Sequence, residues 1–134
     1  MEVLFSTRRI EVRKSPIHGW GVFAKENIEA NTILEQSHGL FIPRGVYENI
    51  QHPSIKCNGF AFPRDAAHTK VIIPFGLGCV YNSLPASKCN ADWYCDLINN
   101  IIIYHTTKEI KKDEEIFIDY FEEMEGWEQI GNKI

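Results

Sequence analysis

The segment Asp113-Glu114-Glu115-Ile116-Phe117-Ile118-Asp119-Tyr120 alternates in polarity, which predicts a β-strand that ends in a tyrosine. Ile116, Ile118 and Tyr120 fall on one face of this strand, because successive side chains of a strand point to opposite sides. A strand that docks through its isoleucines would therefore carry the tyrosine ring on the buried side. A phenol beside a cleft can donate or accept one oriented hydrogen bond. Taken alone, this tyrosine is better explained as a core residue, and a function for it depends on a cleft elsewhere in the chain.

Length and composition predict a single domain of modest size. The chain has 134 residues, of which 44% are hydrophobic and 24% are charged. Its net charge of −4 argues against direct nucleic-acid binding, since such proteins usually carry a strong basic excess, and it would suit a basic protein partner. The longest aliphatic run is Ile101–Ile103, so no membrane span is expected. The first residues do not resemble a signal peptide, which favours an intracellular protein, either cytoplasmic or nuclear.

The four cysteines, Cys57, Cys79, Cys89 and Cys95, include no Cys-x-x-Cys pair, so we expect neither a zinc knuckle nor a disulfide framework. Free and mostly buried thiols are the favoured interpretation. A metal site built from Cys89, Cys95 and a histidine such as His105 stays open as an alternative. Our expectation is that the protein binds no metal.

Short strands separated by turns make up most of the remaining pattern. Strands are predicted at 10–13, 20–24, 33–35 and 71–73, and a hairpin around 98–99 is predicted from strands at 93–97 and 100–105. Residues 76–82 predict either a strand or a tight backbone crossing. Prolines at 43, 53 and 63 exclude any long regular element from residues 38–70, where one short helix near 46–50 is expected. A second short helix is expected at 122–131. The pattern describes an all-β or β-dominated domain.

Two glycines flank one large residue in Gly19-Trp20-Gly21, within the segment Ser15–Ala24. Glycine lets the backbone turn sharply and bring its N–H and C=O groups close to a ligand. This is not a phosphate-binding fingerprint, because the third glycine and the following helix are missing. Alone, the segment is best explained as a structural turn.

A second candidate motif is Tyr81-Asn82-Ser83-Leu84-Pro85, with a further asparagine at Asn90. Asn82 follows an apolar run, and a buried amide without partners costs about 1–3 kcal/mol. A loop-capping Asx turn is the simpler explanation when this motif is taken alone.

Together and in this order, the three segments resemble the SET domain, the fold of protein-lysine methyltransferases. The family's first motif, G-x-G-V-F-A, is matched in full by Gly19–Ala24, and its last, G-E-E-[LI]-x-x-x-Y, is matched with Asp113 in place of the turn glycine. The middle motif, usually N-H-S-C-x-P-N, keeps Asn82 but has Ser83 in place of histidine, and Asn90 lies two residues later than usual. The resemblance covers residues 10–127 of one domain, 1–134. It is to the minimal free-standing members of viral and bacterial type, which lack zinc-binding flanks.

The resemblance implies a mainly β fold of several small sheets with a short terminal helix. It also implies a C-terminal pseudoknot, in which the last strand threads past the loop that holds Asn82. The activity implied is methyl transfer from S-adenosylmethionine to a lysine ε-amine of a protein, with a histone tail as the favoured substrate. Relatives of this size can form homodimers. The alternative is a catalytically weak or inactive SET-fold module that binds proteins, because Ser83 departs from the family pattern.

The resemblance also assigns roles to individual residues. Cofactor contacts are implied for His18, Gly19, Trp20, Gly21, Tyr81, Asn82, Ser83 and Trp127. Tyr120 is implied as the catalytic tyrosine, which would orient the reacting groups and stabilise charge more than act as a base. A substrate channel is expected from Phe60, Phe62, Trp93, Tyr94 and Ile118. Its aromatic walls would favour the neutral lysine by desolvation, and Ile118, without a hydroxyl to hold water, suggests di- or trimethylation.

Overall fold

The computed structural model describes residues 3–52, 55 and 58–119, and short strands dominate this part of the chain. The strands are β1 (Ile10–Lys14), β2 (Trp20–Ala24), β3 (Ile33–Ser37), β4 (Gly39–Pro43), β5 (Phe60–Phe62), β6 (Lys70–Pro74), β7 (Asn82–Ser83), β8 (Ala91–Asp96), β9 (Ile101–Thr106) and β10 (Glu115–Ile118). One short helix, α1 (Arg44–Glu48), and a 3-10 turn at Ala86–Lys88 complete the described elements. The mainly β prediction is confirmed. Tyr120, Trp127 and the helix expected at 122–131 lie outside the described residues.

The described strands form three small sheets, in the orders β1-β2-β10-β7, β3-β9-β8 and β4-β6-β5. The predicted hairpin is confirmed, since β8 and β9 pair antiparallel with Trp93 opposite Tyr104. Among the helices in this part of the chain, none has the length and apolar character needed to cross a membrane.

Strand β10 lies between two strands that come much earlier in the sequence. It pairs antiparallel with β2, where Ile116 faces Val22, and parallel with β7, where Phe117 faces Asn82. Ile116 and Ile118 are both fully buried, as their shared parity predicts. This insertion of a late strand between earlier segments is the arrangement expected of the C-terminal pseudoknot, and it brings all three sequence motifs into one sheet.

The region 38–70 contains more strand than the sequence predicts. Strands β4 and β5 were not predicted, and α1 begins at Arg44, two residues before the predicted start. Both strands lie at the edges of their sheet, on either side of β6. Pro43 is the last residue of β4, and an edge strand tolerates proline because one of its sides needs no ladder hydrogen bonds. The prolines therefore shorten the elements of this region without excluding them.

The core is continuous between the sheets. Its fully buried side chains come from every sheet and from the turns between them, and include Val22, Ile28, Leu34, Phe60, Ile72, Tyr81, Ile102, Tyr104, Ile110, Ile116 and Ile118. Burying one large apolar side chain stabilises the folded state by about 1.5–3 kcal/mol. The core thus fixes β10 against β2 and β7, where the candidate site lies.

Candidate active site

A tight turn between β1 and β2 carries the first motif. The Ser15 N–H donates to the Gly19 carbonyl at 2.7 Å, and Gly19 has φ +48°, a backbone conformation that L side chains rarely adopt. The Ser15 hydroxyl oxygen accepts the N–H groups of Ile17 and His18 at 3.0 and 3.3 Å. The Trp20 side chain is 58% exposed, so the core does not use its ring. The turn therefore lies at the end of β1 and β2 and carries the backbone of the motif into β2.

The Asn82 side chain lies beneath this turn. Its Nδ2 donates to the His18 carbonyl at 2.9 Å and to Glu115 Oε2 at 2.7 Å, and the Trp20 carbonyl is 3.5 Å away. The residue is 3% exposed. Every contact that the described residues make with this side chain uses Nδ2, which leaves the carbonyl Oδ1 to accept a hydrogen bond from a ligand.

Glu115 joins the other two motifs and was not singled out from the sequence. Its carboxylate is buried, accepts the Ser15 hydroxyl at 2.6 Å on Oε1, and accepts the Asn82 amide on Oε2. Gly21 makes room for it, because a Cβ at that position would overlap Oε2. The second glycine of the first motif is thus required by a carboxylate of the third. The available signal was an acidic residue at the start of a buried strand.

Ser83 stands in the sequence where the family motif has histidine, and its cofactor contact stays a prediction. It belongs to β7 and pairs in parallel with Ile118 of β10. The main chain of the middle motif therefore lies in the same sheet as β10.

Asn90 performs a structural task in spite of its displaced position. A 3-10 turn at Ala86–Lys88 lies between Asn82 and Asn90. The Asn90 Nδ2 then donates to the Glu115 carbonyl at 2.9 Å, and its Oδ1 accepts the Phe117 N–H at 2.8 Å. One amide side chain thus holds the main chain of β10 as a neighbouring strand would.

Tyr81 directs its side chain into the core. The ring is fully buried and packs at 5.0 Å from the ring of Tyr104, and its hydroxyl donates to Glu35 Oε1 at 3.0 Å. Burial raises the pKa of the Glu35 carboxyl, while the hydrogen bonds from Tyr81 and the Leu77 N–H oppose this rise. Any cofactor contact of Tyr81 would therefore come from its main chain, and its side chain anchors the residue before Asn82.

Two of the expected channel residues meet at the end of β10. The rings of Phe60 and Trp93 pack edge to face at 4.9 Å, and both side chains are buried. The Trp93 Nε1 donates to the Asp119 carbonyl at 3.0 Å. This hydrogen bond places the indole one residue before Tyr120, and Ile118 lies in the same buried cluster.

The other two expected channel residues are placed differently. The ring of Phe62 packs against that of Phe41 at 5.0 Å. Tyr94 is 44% exposed and lies 5.5 Å from the ring of His105. Because neighbouring side chains of a strand point to opposite faces, Tyr94 and Trp93 do not share one side of β8. The structure thus brings Phe60 and Trp93 together and does not bring Tyr94 to them.

A shallow depression of about 510 Å³ opens beside Trp93. Its lining residues are Pro63, Arg64, Asp92, Trp93, Tyr94, Cys95, Leu97 and His105. The Arg64 guanidinium lies 4.3 Å from the Trp93 ring and pairs with the Asp92 carboxylate at 2.7 Å. A fixed ion pair therefore covers the outer face of the indole.

The cysteines are not gathered into a metal site in the described part of the chain, residues 3–52, 55 and 58–119, where no group of three or more histidine, cysteine, aspartate or glutamate side chains could hold a metal ion. The Cys89 and Cys95 thiols instead donate to the carbonyls of Leu84 and Ala61. Burial raises the pKa of Cys89 to about 11 and that of Cys95 to about 12. Both thiols are therefore un-ionised at neutral pH.

Comparison with known proteins finds similarity to histone methyltransferases in both sequence and fold. A histone-lysine N-methyltransferase of Schizosaccharomyces pombe, described as specific for histone H3 lysine 37, is 35% identical over 112 residues, which span 83% of this chain and 72% of that protein. The crystal structure of a candidate histone methyltransferase of Plasmodium falciparum superposes with a TM-score of 0.70 at 27% identity, covering 88% of this chain and 97% of that one.

The fold is also that of the Neurospora SET domain protein DIM-5, a histone lysine methyltransferase, with a TM-score of 0.70 at 15% identity over 86% of this chain and 53% of that one. The family model described as SET domain matches residues 19–121, which include all three motifs. The chain therefore belongs to the SET domain family.

Proposed function

We propose that this protein is a protein-lysine methyltransferase that uses S-adenosylmethionine and acts on a histone. The observation that carries the proposal is the fixed orientation of Asn82. Its amide nitrogen is occupied by the His18 carbonyl and the Glu115 carboxylate, and its Oδ1 faces no donor among the described residues. An acceptor held in this way suits the ammonium group of an amino acid.

The residues around Asn82 fit the methionine end of S-adenosylmethionine. The backbone of Gly19-Trp20-Gly21 supplies close N–H and C=O groups, and Asn82 supplies a directed acceptor. The buried Glu115 carboxylate receives hydrogen bonds from two neutral groups, Ser15 and Asn82, so its negative charge would favour a bound cation. When bound, this cofactor supplies a methyl group on a sulfonium, which is a good leaving group.

Phe60 and Trp93, which lie near the end of β10, support a lysine amine as the methyl acceptor. A lysine must reach the methyl group as the neutral amine, although its reference pKa is about 10.4. Phe60 and Trp93 form a buried aromatic wall, and such a wall disfavours the ammonium form by desolvation. Tyr120 follows directly after Asp119, whose carbonyl Trp93 holds, and we assign to Tyr120 the orientation of amine and methyl group.

Histone H3 is the first substrate to test. The relative from Schizosaccharomyces pombe is described as specific for lysine 37 of this histone. The net charge of −4 is compatible with a basic tail. Such a substrate would place the protein in the nucleus. Sedimentation of the free protein would separate a monomer from the homodimer that relatives of this size can form.

The test combines binding with transfer. Isothermal calorimetry should show S-adenosylmethionine binding, and incubation with methyl-labelled cofactor and separate core histones should label H3. An Asn82→Ala protein should lose both signals, while the exposed Glu114→Gln serves as control. Binding without transfer to any histone or lysate protein would contradict the substrate assignment. Absence of cofactor binding would instead favour the inactive binding module.

A further inference from the structure

Four groups around the first motif form a closed circuit of hydrogen bonds. The His18 N–H donates to Ser15 Oγ, and the Ser15 hydroxyl donates to Glu115 Oε1. The Asn82 Nδ2 donates to Glu115 Oε2 and, with its other hydrogen, to the His18 carbonyl. The Asn82 amide thus has two acceptors, the His18 carbonyl of the turn and the Glu115 carboxylate, and Glu115 also binds the turn through Ser15. The two acceptors together determine how the Asn82 amide is turned.

The space for this carboxylate is provided by Gly21. A Cβ on Gly21 would overlap Glu115 Oε2 and lie 3.0 Å from Asn82 Nδ2. Any larger residue at this position of β2 would have to displace the carboxylate from the amide. The requirement for glycine here therefore comes from Glu115, across the β2–β10 pairing.

A purely structural role explains this arrangement poorly. Glu115 is buried, and the partners of its carboxylate among the described residues are a hydroxyl and an amide, with no cationic group. Removing a charge from water without a counter-ion opposes folding. A carboxylate in this place is explained better by what it holds in position.

We propose that Glu115 is a positioning residue that turns the Asn82 amide so that Oδ1 faces the cofactor, an inference that rests on the proposed function. The carboxylate accepts the amide hydrogen and thereby excludes the flipped orientation, in which Oδ1 would face Oε2. The Ser15 hydroxyl holds the carboxylate from its other side. Gly21 keeps the path between Glu115 and Asn82 open.

The main test replaces Glu115 by glutamine. Glutamine keeps the shape but offers one oxygen to the two donors and removes the negative charge. We expect the Kd for S-adenosylmethionine, measured by calorimetry, to rise about tenfold. The KM for the cofactor should rise in parallel, while kcat at saturating cofactor changes much less. The matched control is Glu114→Gln, since Glu114 is exposed and its carboxylate accepts the Lys111 N–H away from Asn82.

A second measurement does not require the cofactor. In the wild-type protein both hydrogens of the Asn82 side-chain amide are bonded, so in NMR spectra they should exchange slowly with water. In Glu115→Gln we expect at least one of them to exchange about tenfold faster. If the wild-type protein binds no S-adenosylmethionine, the proposed function fails, and the exchange rates alone decide whether Glu115 orients Asn82.

Two further variants test the proposal if Glu115→Gln does not fold. Ser15→Ala removes one hydroxyl at the edge of the circuit and should weaken cofactor binding about threefold, and Gly21→Ala should weaken it at least as much as Glu115→Gln would. The proposal is overturned if Glu115→Gln, or Ser15→Ala in its place, binds the cofactor as tightly as wild type with unchanged amide exchange. An equal loss of binding in Glu114→Gln would also overturn it.

Discussion

Asn82 shows how a single side chain is given one orientation by its neighbours. An asparagine amide can bond in either of two flipped orientations. Here a backbone carbonyl and a carboxylate, both acceptors, converge on one side, so the donor end must face them. The sequence indicated Asn82 but not its partners, because His18 and Glu115 lie 64 and 33 residues away along the chain.

The assignment of Tyr120 leads to the first mutational expectation. Tyr120→Phe should leave the Kd for S-adenosylmethionine within about twofold of wild type, because the hydroxyl is assigned to the transfer step. Turnover should fall by about 100-fold or more, the range seen when one oriented donor is removed from a transition state. Calorimetry and a methyl-transfer assay on histone H3 measure the two effects. Undiminished turnover would exclude Tyr120 as the catalytic tyrosine.

Asn90 gives a stability expectation at the same scale. Asn90→Ala removes two hydrogen bonds to the main chain of β10 and should lower the free energy of unfolding by about 2 kcal/mol. The exposed Asn99, whose side chain bonds the Asp96 carboxylate in its own turn, provides the control Asn99→Ala. Urea unfolding of both variants measures the difference. Equal midpoints would mean that Asn90 does not hold the strand.

At the scale of secondary structure, sequence patterns identified the strands in which apolar and polar residues alternate or that turn residues flank. Strands β1, β2, β3, β6, β8, β9 and β10 were predicted within two residues at each end. Strands β4 and β5 were missed, since edge strands next to prolines have no periodic signal. Glu115 was missed for a different reason. It falls on the opposite face of β10 from Ile116 and Ile118, where alternation predicts exposure, and yet it is buried.

The turn before β10 offers an element-scale test. Asp113 has φ +71°, which explains why the family pattern has glycine at this position. Its carboxylate also pairs with Arg13 at 2.9 Å. Asp113→Gly and Asp113→Ala both remove the ion pair, but only glycine removes the strain of the positive φ. We expect the glycine variant to be more stable than the alanine variant by about 1 kcal/mol, measured by urea unfolding. The reverse order would show that the left-handed backbone carries no strain.

At the scale of the whole molecule, the order of the three motifs predicted the fold class, while composition alone indicated only a small globular domain. No local signal reports that strands 90 residues apart pair with each other. That information came from the resemblance. The sequence could not show that Trp93 is buried and Tyr94 is exposed. Adjacent aromatics in a strand face opposite sides, and only the packing decides which one is buried.

The pH dependence of overall stability should report on Glu35. Its folded pKa is raised above 4.5 by burial, so its contribution to stability is fully present below pH 4.5 and is lost as the pH rises through the folded pKa. Glu35→Gln has no titrating carboxyl at this position and therefore does not show this loss of stability. The free energy of unfolding of wild type relative to Glu35→Gln should therefore decrease from pH 4 towards neutral pH, as followed by urea unfolding.

The control for this series is Glu114→Gln, which removes one exposed acidic charge. It should change the pH profile little compared with Glu35→Gln. A difference between wild type and Glu35→Gln that stays constant with pH would mean that Glu35 titrates alike in the folded and unfolded chains.

The insertion of β10 between β2 and β7 has a consequence for synthesis of the protein on the ribosome. Chains emerge from their N-terminus, so β2 and β7 leave the ribosome well before the strand that must lie between them. Until residue 118 is free, the turn around Gly19 has neither Glu115 nor the pairing of β10 with β2 to fix it. A nascent chain can thus fold its β8–β9 hairpin before β10 has emerged, but it acquires the site around Asn82 only after β10 has emerged.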